Sequence, residues 1–227
     1  MDLARHFADP ADIYVIVGYM AGAVKEHLGA EYHYVLQEEA LGTGHAVLQL
    51  APILGDYSGD LLILYGDTPL IRLASLRGML LRHRLKGADF TLFAGRCDAA
   101  PTLPYGRVVR DDTGRVREIV EVAEARRRPN AADLLAIGEL NAGVYCFDGD
   151  WLWANISELP VRQARRGNEY YLTDMVERAV AQGRPVVAVT VGDPDEGLGA
   201  GTRAEMVAVE RAFRRRVNDH WLANGVT

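Results

Sequence analysis

Four apolar residues in succession, Leu61-Leu62-Ile63-Leu64, followed at once by Tyr65-Gly66-Asp67-Thr68-Pro69, constrain this chain more than any other stretch. With no polar alternation, the run reads as a strand buried on both faces, the kind found where helices cover both sides of a sheet. It stops at a carboxylate and a turn, which places Asp67 at the carboxyl end of that strand. In open α/β sheets this end faces the ligand crevice, and a carboxylate there suits a hard cation such as Mg²⁺ beside phosphate oxygens. A competing reading makes Asp67 the cap of a helix that starts near Ile71.

The first half of the chain repeats the alternation. Strands are expected at 13–17, 32–36 and 89–94. Helices are expected at 21–28, closed by Gly29, around Val47, Leu48 and Leu50, and from about Ile71 to Lys86 with Leu73, Leu76, Leu80 and Leu81 on one face. Met1 to Ala8 reads as the last turns of a helix. Such an order predicts an α/β fold with a mainly parallel sheet and helices on both sides. The pattern changes after Arg96: 107–110 and 116–122 flank Asp111-Asp112-Thr113-Gly114, a hairpin signal. A strand at 140–147, helices at 151–159 and 172–182, a buried-type strand at 186–191 and an amphipathic helix at 204–223 follow. Residues 1–227 read as one domain, softly divided into halves 1–96 and 97–227.

Composition narrows the function classes. A hydrophobic share of 49% and a charged share of 25% suit a folded globular chain. The net charge of −6 argues against a nucleic-acid partner, because phosphate backbones are met by basic faces. Cys97 and Cys146 are too few for a disulfide framework and read as reduced thiols. No apolar run is long enough to span a membrane, and Met1 to His6 lacks the apolar core of a signal peptide, so a cytoplasmic location is expected.

Two clusters carry chemistry. Gly42-Thr43-Gly44 opens a helix straight after a strand, where small residues let a ligand approach the backbone; Thr43 as a simple N-cap is the plainer alternative. His45 reads as a first-turn helix residue, not a catalytic base. Asn168-Glu169-Tyr170-Tyr171-Leu172-Thr173-Asp174 gathers carboxylates, phenols and a hydroxyl of the kind a sugar needs, or forms a helix start with its tyrosines in the core. Glu121, at a strand end, and Asn141-Ala142-Gly143 present the same choice.

Taken in order, Gln37, Leu41-Gly42-Thr43-Gly44-His45-Ala46, Tyr65-Gly66-Asp67-Thr68-Pro69-Leu70, Tyr105-Gly106-Arg107, Ile119-Val120-Glu121, Asn141-Ala142-Gly143 and Glu169-Tyr170-Tyr171-Leu172-Thr173-Asp174 resemble one family across nearly the whole chain. It is the pyrophosphorylase domain of bacterial GlmU, the bifunctional N-acetylglucosamine-1-phosphate uridylyltransferase and glucosamine-1-phosphate acetyltransferase. The resemblance implies a Rossmann-like nucleotidyltransferase fold with a mixed sugar-binding half, and substrates UTP and N-acetylglucosamine 1-phosphate. By the same resemblance Gln37, Gly42, Thr43, Tyr65, Gly66 and Asp67 line the nucleotide, and Asp67 holds Mg²⁺. Gly106, Glu121, Asn141, Glu169, Tyr171 and Thr173 surround the sugar. The implied chemistry is in-line attack of the sugar phosphate on the α-phosphorus of UTP, without a protein nucleophile. Leu222 to Thr227 is similar to the link into the family's acetyltransferase domain, through which its trimers largely form, so the oligomeric state stays open.

Two departures set further expectations. The family's first strand and its glycine-rich loop of the form L-A-A-G-x-G-T-R-M precede the point where this sequence starts. The chain by itself is therefore expected to be a poor uridylyltransferase with an interrupted sheet. Where the family has an asparagine that holds metal, this sequence has Gly201, within Leu198-Gly199-Ala200-Gly201-Thr202-Arg203. That stretch also imitates a phosphate loop, but is read as a turn into the last helix. A non-catalytic sugar-nucleotide-binding homologue and a related nucleotidyltransferase with another base or hexose are the alternatives.

Overall fold

The computed structural model describes residues 1–97, 103–164 and 167–225. The first part holds β1 (Tyr14–Val17), α1 (Ala21–Leu28), β2 (His33–Leu36), α2 (Thr43–Leu48), α3 (Ala51–Leu54), β3 (Asp60–Leu64), α4 (Leu73–Lys86) and β4 (Phe90–Arg96). Next come β5 (Arg107–Arg110), β6 (Val116–Val120), α5 (Val122–Ala125), α6 (Ala131–Ala136), β7 (Glu139–Asp148) and α7 (Gly149–Asn155). The short strands β8 (Arg162–Ala164) and β9 (Gly167–Glu169) precede α8 (Met175–Ala181), β10 (Val186–Thr190) and α9 (Arg203–Ala223). The predicted α/β alternation is present, and so is the hairpin expected at 107–110 and 116–122, whose second strand ends at Val120 where a short helix follows from Val122. Val226 and Thr227 of the expected linker lie outside the described residues.

The long strand β7 is the hub of a six-stranded sheet. It pairs antiparallel with β4 along most of its length, with β3 through Val144–Asp148 and with β5 at Leu140. The mixed character assigned to the second half therefore reaches the centre of the sheet, with β10–β4 as its parallel pair. Between Leu92 and Ala94 of β4 the register jumps from Tyr145 to Asn141. Ala142, Gly143 and Val144 thus face one residue, a bulge that bends β7 from β3 toward β5. Gly143 has φ +69°, and a Cβ on it would lie 2.7 Å from the Tyr65 ring. Glycine is required there on both counts.

Side chains of β4 and β7 alternate between two cores. Phe90, Leu92, Tyr145 and Phe147 pack with Trp151, Leu152, Leu172 and Met175 on one side. Phe93, Val144 and Cys146 pack with Leu76 and Met79 of α4 on the other. Leu81, expected on the buried face of α4, is 60% exposed, whereas Met79 and His83 are buried. The helical repeat carries the face from Leu76 through Met79 to His83 and leaves Leu81 to solvent.

Leu61 and Ile63 meet the first core and Leu62 and Leu64 the second, yet every residue of β3 remains half-buried. Full burial fails because β3 has a strand partner on one edge only among the described residues. The edge strand β10 likewise keeps Val186 to Val189 half-buried and Thr190 exposed. β1 and β2 form a separate parallel pair, so the sheet is interrupted as expected. Of the helix tail predicted for Met1 to Ala8, one 3-10 turn forms, Ala4–His6. This segment joins the parts: Leu3 and Phe7 pack on the second core, and Arg5 donates to the Tyr32 hydroxyl (2.7 Å). No helix among the described residues is long and apolar enough to cross a membrane.

Candidate functional site

Gly42 and Gly44 serve first to bring two backbone segments together. Gly44 N–H donates to Tyr170 O (2.8 Å) and Tyr170 N–H to Leu41 O (2.8 Å). Gly42 has φ +96°, and a Cβ there would lie 2.6 Å from Tyr170 O and 3.2 Å from the Glu169 Cβ. Gly42, not Thr43, is the N-cap residue of α2. Thr43 is in the helix, and its Oγ1 accepts from Leu172 N–H (3.0 Å), which corrects the simple-cap reading. Gln37 Nε2 donates to Gly42 O (3.0 Å) and lies 3.0 Å from His45 Nδ1. The His45 ring is held between Gln37 and Gln49 in the first turns of α2 and stacks on Tyr170.

A polar chain then crosses the core. The Tyr65 phenol is hydrogen-bonded to Thr43 and Tyr145, and Asn141 Nδ2 donates to the Tyr145 hydroxyl (2.8 Å). Burial pushes both phenols up, so they remain neutral donors and acceptors. The bulge in β7 is what aims Asn141 at Tyr145. Sequence reasoning missed Tyr145, since one tyrosine in an apolar strand carries no local mark of its partner.

Asn141 N–H donates to Gly106 O (2.9 Å), and a Cβ on Gly106 would lie 3.0 Å from Glu121 Oε1. Thr173 Oγ1 donates to that same oxygen (3.3 Å). Burial, with the nearby Asp174 and Glu124 charges, pushes the Glu121 carboxyl up to about 7, against the pull of Thr173 and Arg107. Arg107 lies in the core and donates to the carbonyls of Tyr105, Leu103 (3.2 Å) and Leu135 (3.5 Å). The Tyr171 phenol is raised by burial and then by the charges of Glu169, Glu121 and Asp174. Asp174 forms a two-pronged pair with Arg162 (3.0 Å each) and caps no helix by its side chain. Gly106, Glu121, Asn141, Glu169, Tyr171 and Thr173 thus form one neighbourhood, joined to the Gly42 segment through Glu169.

Asp67 does not cap α4. Arg72 N–H and Ser75 Oγ at that helix start donate to Glu196 Oε2 and Oε1 (2.9 Å each). The backbone of Asp67 accepts from Ala200 N–H (2.8 Å), while Gly199 N–H donates to the Tyr105 hydroxyl (3.0 Å). These bonds bring the 197–201 turn alongside Asp67. The Asp67 carboxylate has no hydrogen-bond or ion-pair partner among the described residues. Among those residues no three His, Cys, Asp or Glu side chains are grouped to hold a metal. Cys97 and Cys146 are free thiols, and burial pushes the latter up.

The chain is 40% identical over 213 residues to the bifunctional protein GlmU of Exiguobacterium sibiricum, covering 94% of this chain and 45% of the relative. It is 39% identical to that of Pelobacter propionicus, covering 99% and 47%. The chain spans about half the length of the curated relatives it matches. Among solved structures, a putative glucose-1-phosphate thymidylyltransferase from Bacillus anthracis superposes with a TM-score of 0.68 at 18% identity, over 93% of this chain and 79% of that one. UDP-glucose pyrophosphorylase complexed with UDP-glucose gives 0.62 at 15% identity, over 89% and 80%. These likenesses share the α/β nucleotidyltransferase fold. The sequence model of the family described as nucleotidyl transferase matches residues 5–197, and the chain belongs to that family.

Proposed function

We propose that this chain carries a GlmU-type uridylyltransferase site, which joins UTP and N-acetylglucosamine 1-phosphate into UDP-N-acetylglucosamine and releases pyrophosphate. The observation that carries the reading is the polar chain Thr43–Tyr65–Tyr145–Asn141, which links the two candidate residue sets across the sheet. Similarity to GlmU proteins supports the choice of base and sugar. On this reading residues 1–96 serve the nucleotide and 97–227 the sugar. The product would feed cell-wall precursor synthesis in the cytoplasm, where UTP is available.

Gln37 donates through Nε2 toward Gly42 and His45, so its Oε1 is the atom that accepts the N3–H of uracil. Gly42, Thr43, Tyr65 and Gly66 line the nucleotide. Glu121, Asn141, Glu169, Tyr171 and Thr173, with the backbone at Gly106, meet the sugar hydroxyls and acetamide. Asp67 would hold Mg²⁺; its unpartnered carboxylate fits a hard cation, which takes one or two carboxylates and keeps several waters. When bound, the ion supplies charge screening for the phosphate oxygens. The side chains contribute binding and alignment of the attacking phosphate oxygen with the α-phosphorus.

Calorimetry with UDP-N-acetylglucosamine, UDP-glucose and dTDP-glucose, paired with a pyrophosphate-release assay, tests this. The first ligand should bind best. Asn141→Ala and Glu169→Ala should weaken it, and Asp67→Asn should lower turnover about a hundredfold or more. Preference for dTDP-glucose, or indifference to both alanine variants, would sink the assignment.

A further inference from the structure

The turn beside Asp67 has an unused side-chain position. A Cβ built on Gly201 would lie 3.9 Å from Asp67 Oδ2 and 3.4 Å from Glu205 Oε2. Both carboxylates therefore face the same small volume, one from the end of β3 and one from the first turn of α9. Neither has a hydrogen-bond or ion-pair partner among the described residues. Carboxylate oxygens placed around one position suit a hard cation, which takes one or two carboxylates and keeps several waters.

Helix capping does not account for the Glu205 side chain. Thr202-Arg203-Ala204-Glu205 has the pattern of a capping box, in which the carboxylate returns a bond to the N-cap N–H. Only half of that box forms: Thr202 Oγ1 accepts from Glu205 N–H (3.2 Å), but the Glu205 carboxylate accepts nothing from Thr202. It turns toward the Gly201 position. The Tyr105 hydroxyl, which accepts from Gly199 N–H (3.0 Å), lies along the same turn.

We infer that Glu205 is a second ligand to the divalent cation held by Asp67, supplying from the helix the oxygen that Gly201 cannot. The inference rests on the proposed metal role of Asp67. Mg²⁺ bound by two carboxylates retains positions for water and substrate phosphates. Gly201 is not among the positive-φ glycines, so an asparagine side chain can be restored there without backbone strain.

The probe is Mn²⁺ alone, titrated into the full chain and followed by the electron paramagnetic resonance of the free ion, with thermal unfolding as a folding control. Glu205→Gln keeps a residue suited to the helix start and removes the charge. It should weaken Mn²⁺ binding at least tenfold, since even partners outside the ligand shell cost roughly that much. Adding Gly201→Asn to that variant should recover part of the loss. If Glu205→Gln binds Mn²⁺ like the parent while Asp67→Asn does not, Glu205 is no ligand and the role of Asp67 stands. If the parent shows no saturable binding, or Asp67→Asn binds like the parent, the metal assignment of Asp67 falls and this inference falls with it.

Discussion

Glu121 illustrates how a single residue can be legible as a candidate while its charge state is not. Its place at a strand end marks it in the sequence, but its ionisation depends on burial and on Asp174 and Glu124, which push its carboxyl up to about 7. The folded chain keeps this proton from the ordinary carboxyl value of 4.5 up to about 7, where the unfolded chain has lost it. The associated stability is full below the lower value and is lost as pH rises through the upper one. Glu121→Gln should abolish that part of the decline and gain up to about 3 kcal/mol over the parent at about pH 8, a ceiling lowered by solvent screening. Denaturant titrations across pH check it; parallel curves for parent and variant would refute the shift. A pair of glycines separates packing from ligand approach. Gly42→Ala meets the Tyr170 carbonyl at a positive φ and should cost about 1–3 kcal/mol. At Gly66 an added Cβ would meet nothing within 4 Å among the described residues, so Gly66→Ala should leave unfolding unchanged to about 0.5 kcal/mol. A fall in UDP-N-acetylglucosamine affinity in a stable Gly66→Ala chain would then report close contact with the nucleotide.

At the scale of elements, periodicity located most strands and helices but did not identify what holds their ends. The start of α4 is capped by Glu196, more than a hundred positions away in sequence, whereas Asp67 offered itself locally. The same glutamate fixes the turn that meets Asp67. Glu196 is 2% exposed, so Glu196→Ala leaves the Arg72 N–H and the Ser75 hydroxyl without their acceptor. A loss of about 1–3 kcal/mol in urea unfolding is expected; a change below about 0.5 kcal/mol would show that water replaces the cap without cost. The β7 bulge was equally hidden. Asn141-Ala142-Gly143 drew attention as a possible sugar contact, but only pairing against β4 reveals the extra residues and the positive φ of Gly143.

For the whole molecule, the interrupted sheet sets a gradient of stability. Among the described residues β1 and β2 pair only with each other, α1 buries no residue, and a two-stranded unit is marginal without further packing. Amide exchange should therefore be faster across residues 14–36 than in β4 and β7, which lie at the sheet centre. Equal protection of both regions, measured by mass spectrometry, would contradict this gradient. The α/β alternation, the 107–120 hairpin, the glycine and tyrosine motifs and the family were all legible in the order of residues, because apolar period and turn chemistry act between near neighbours. Long-range packing settled that β3 has one strand partner among the described residues, that Gly42 serves Tyr170, that Glu196 caps α4, and that Tyr145 links Tyr65 to Asn141. Burial, edge position and hydrogen-bond partners arise between segments distant in the chain, so no local pattern can encode them.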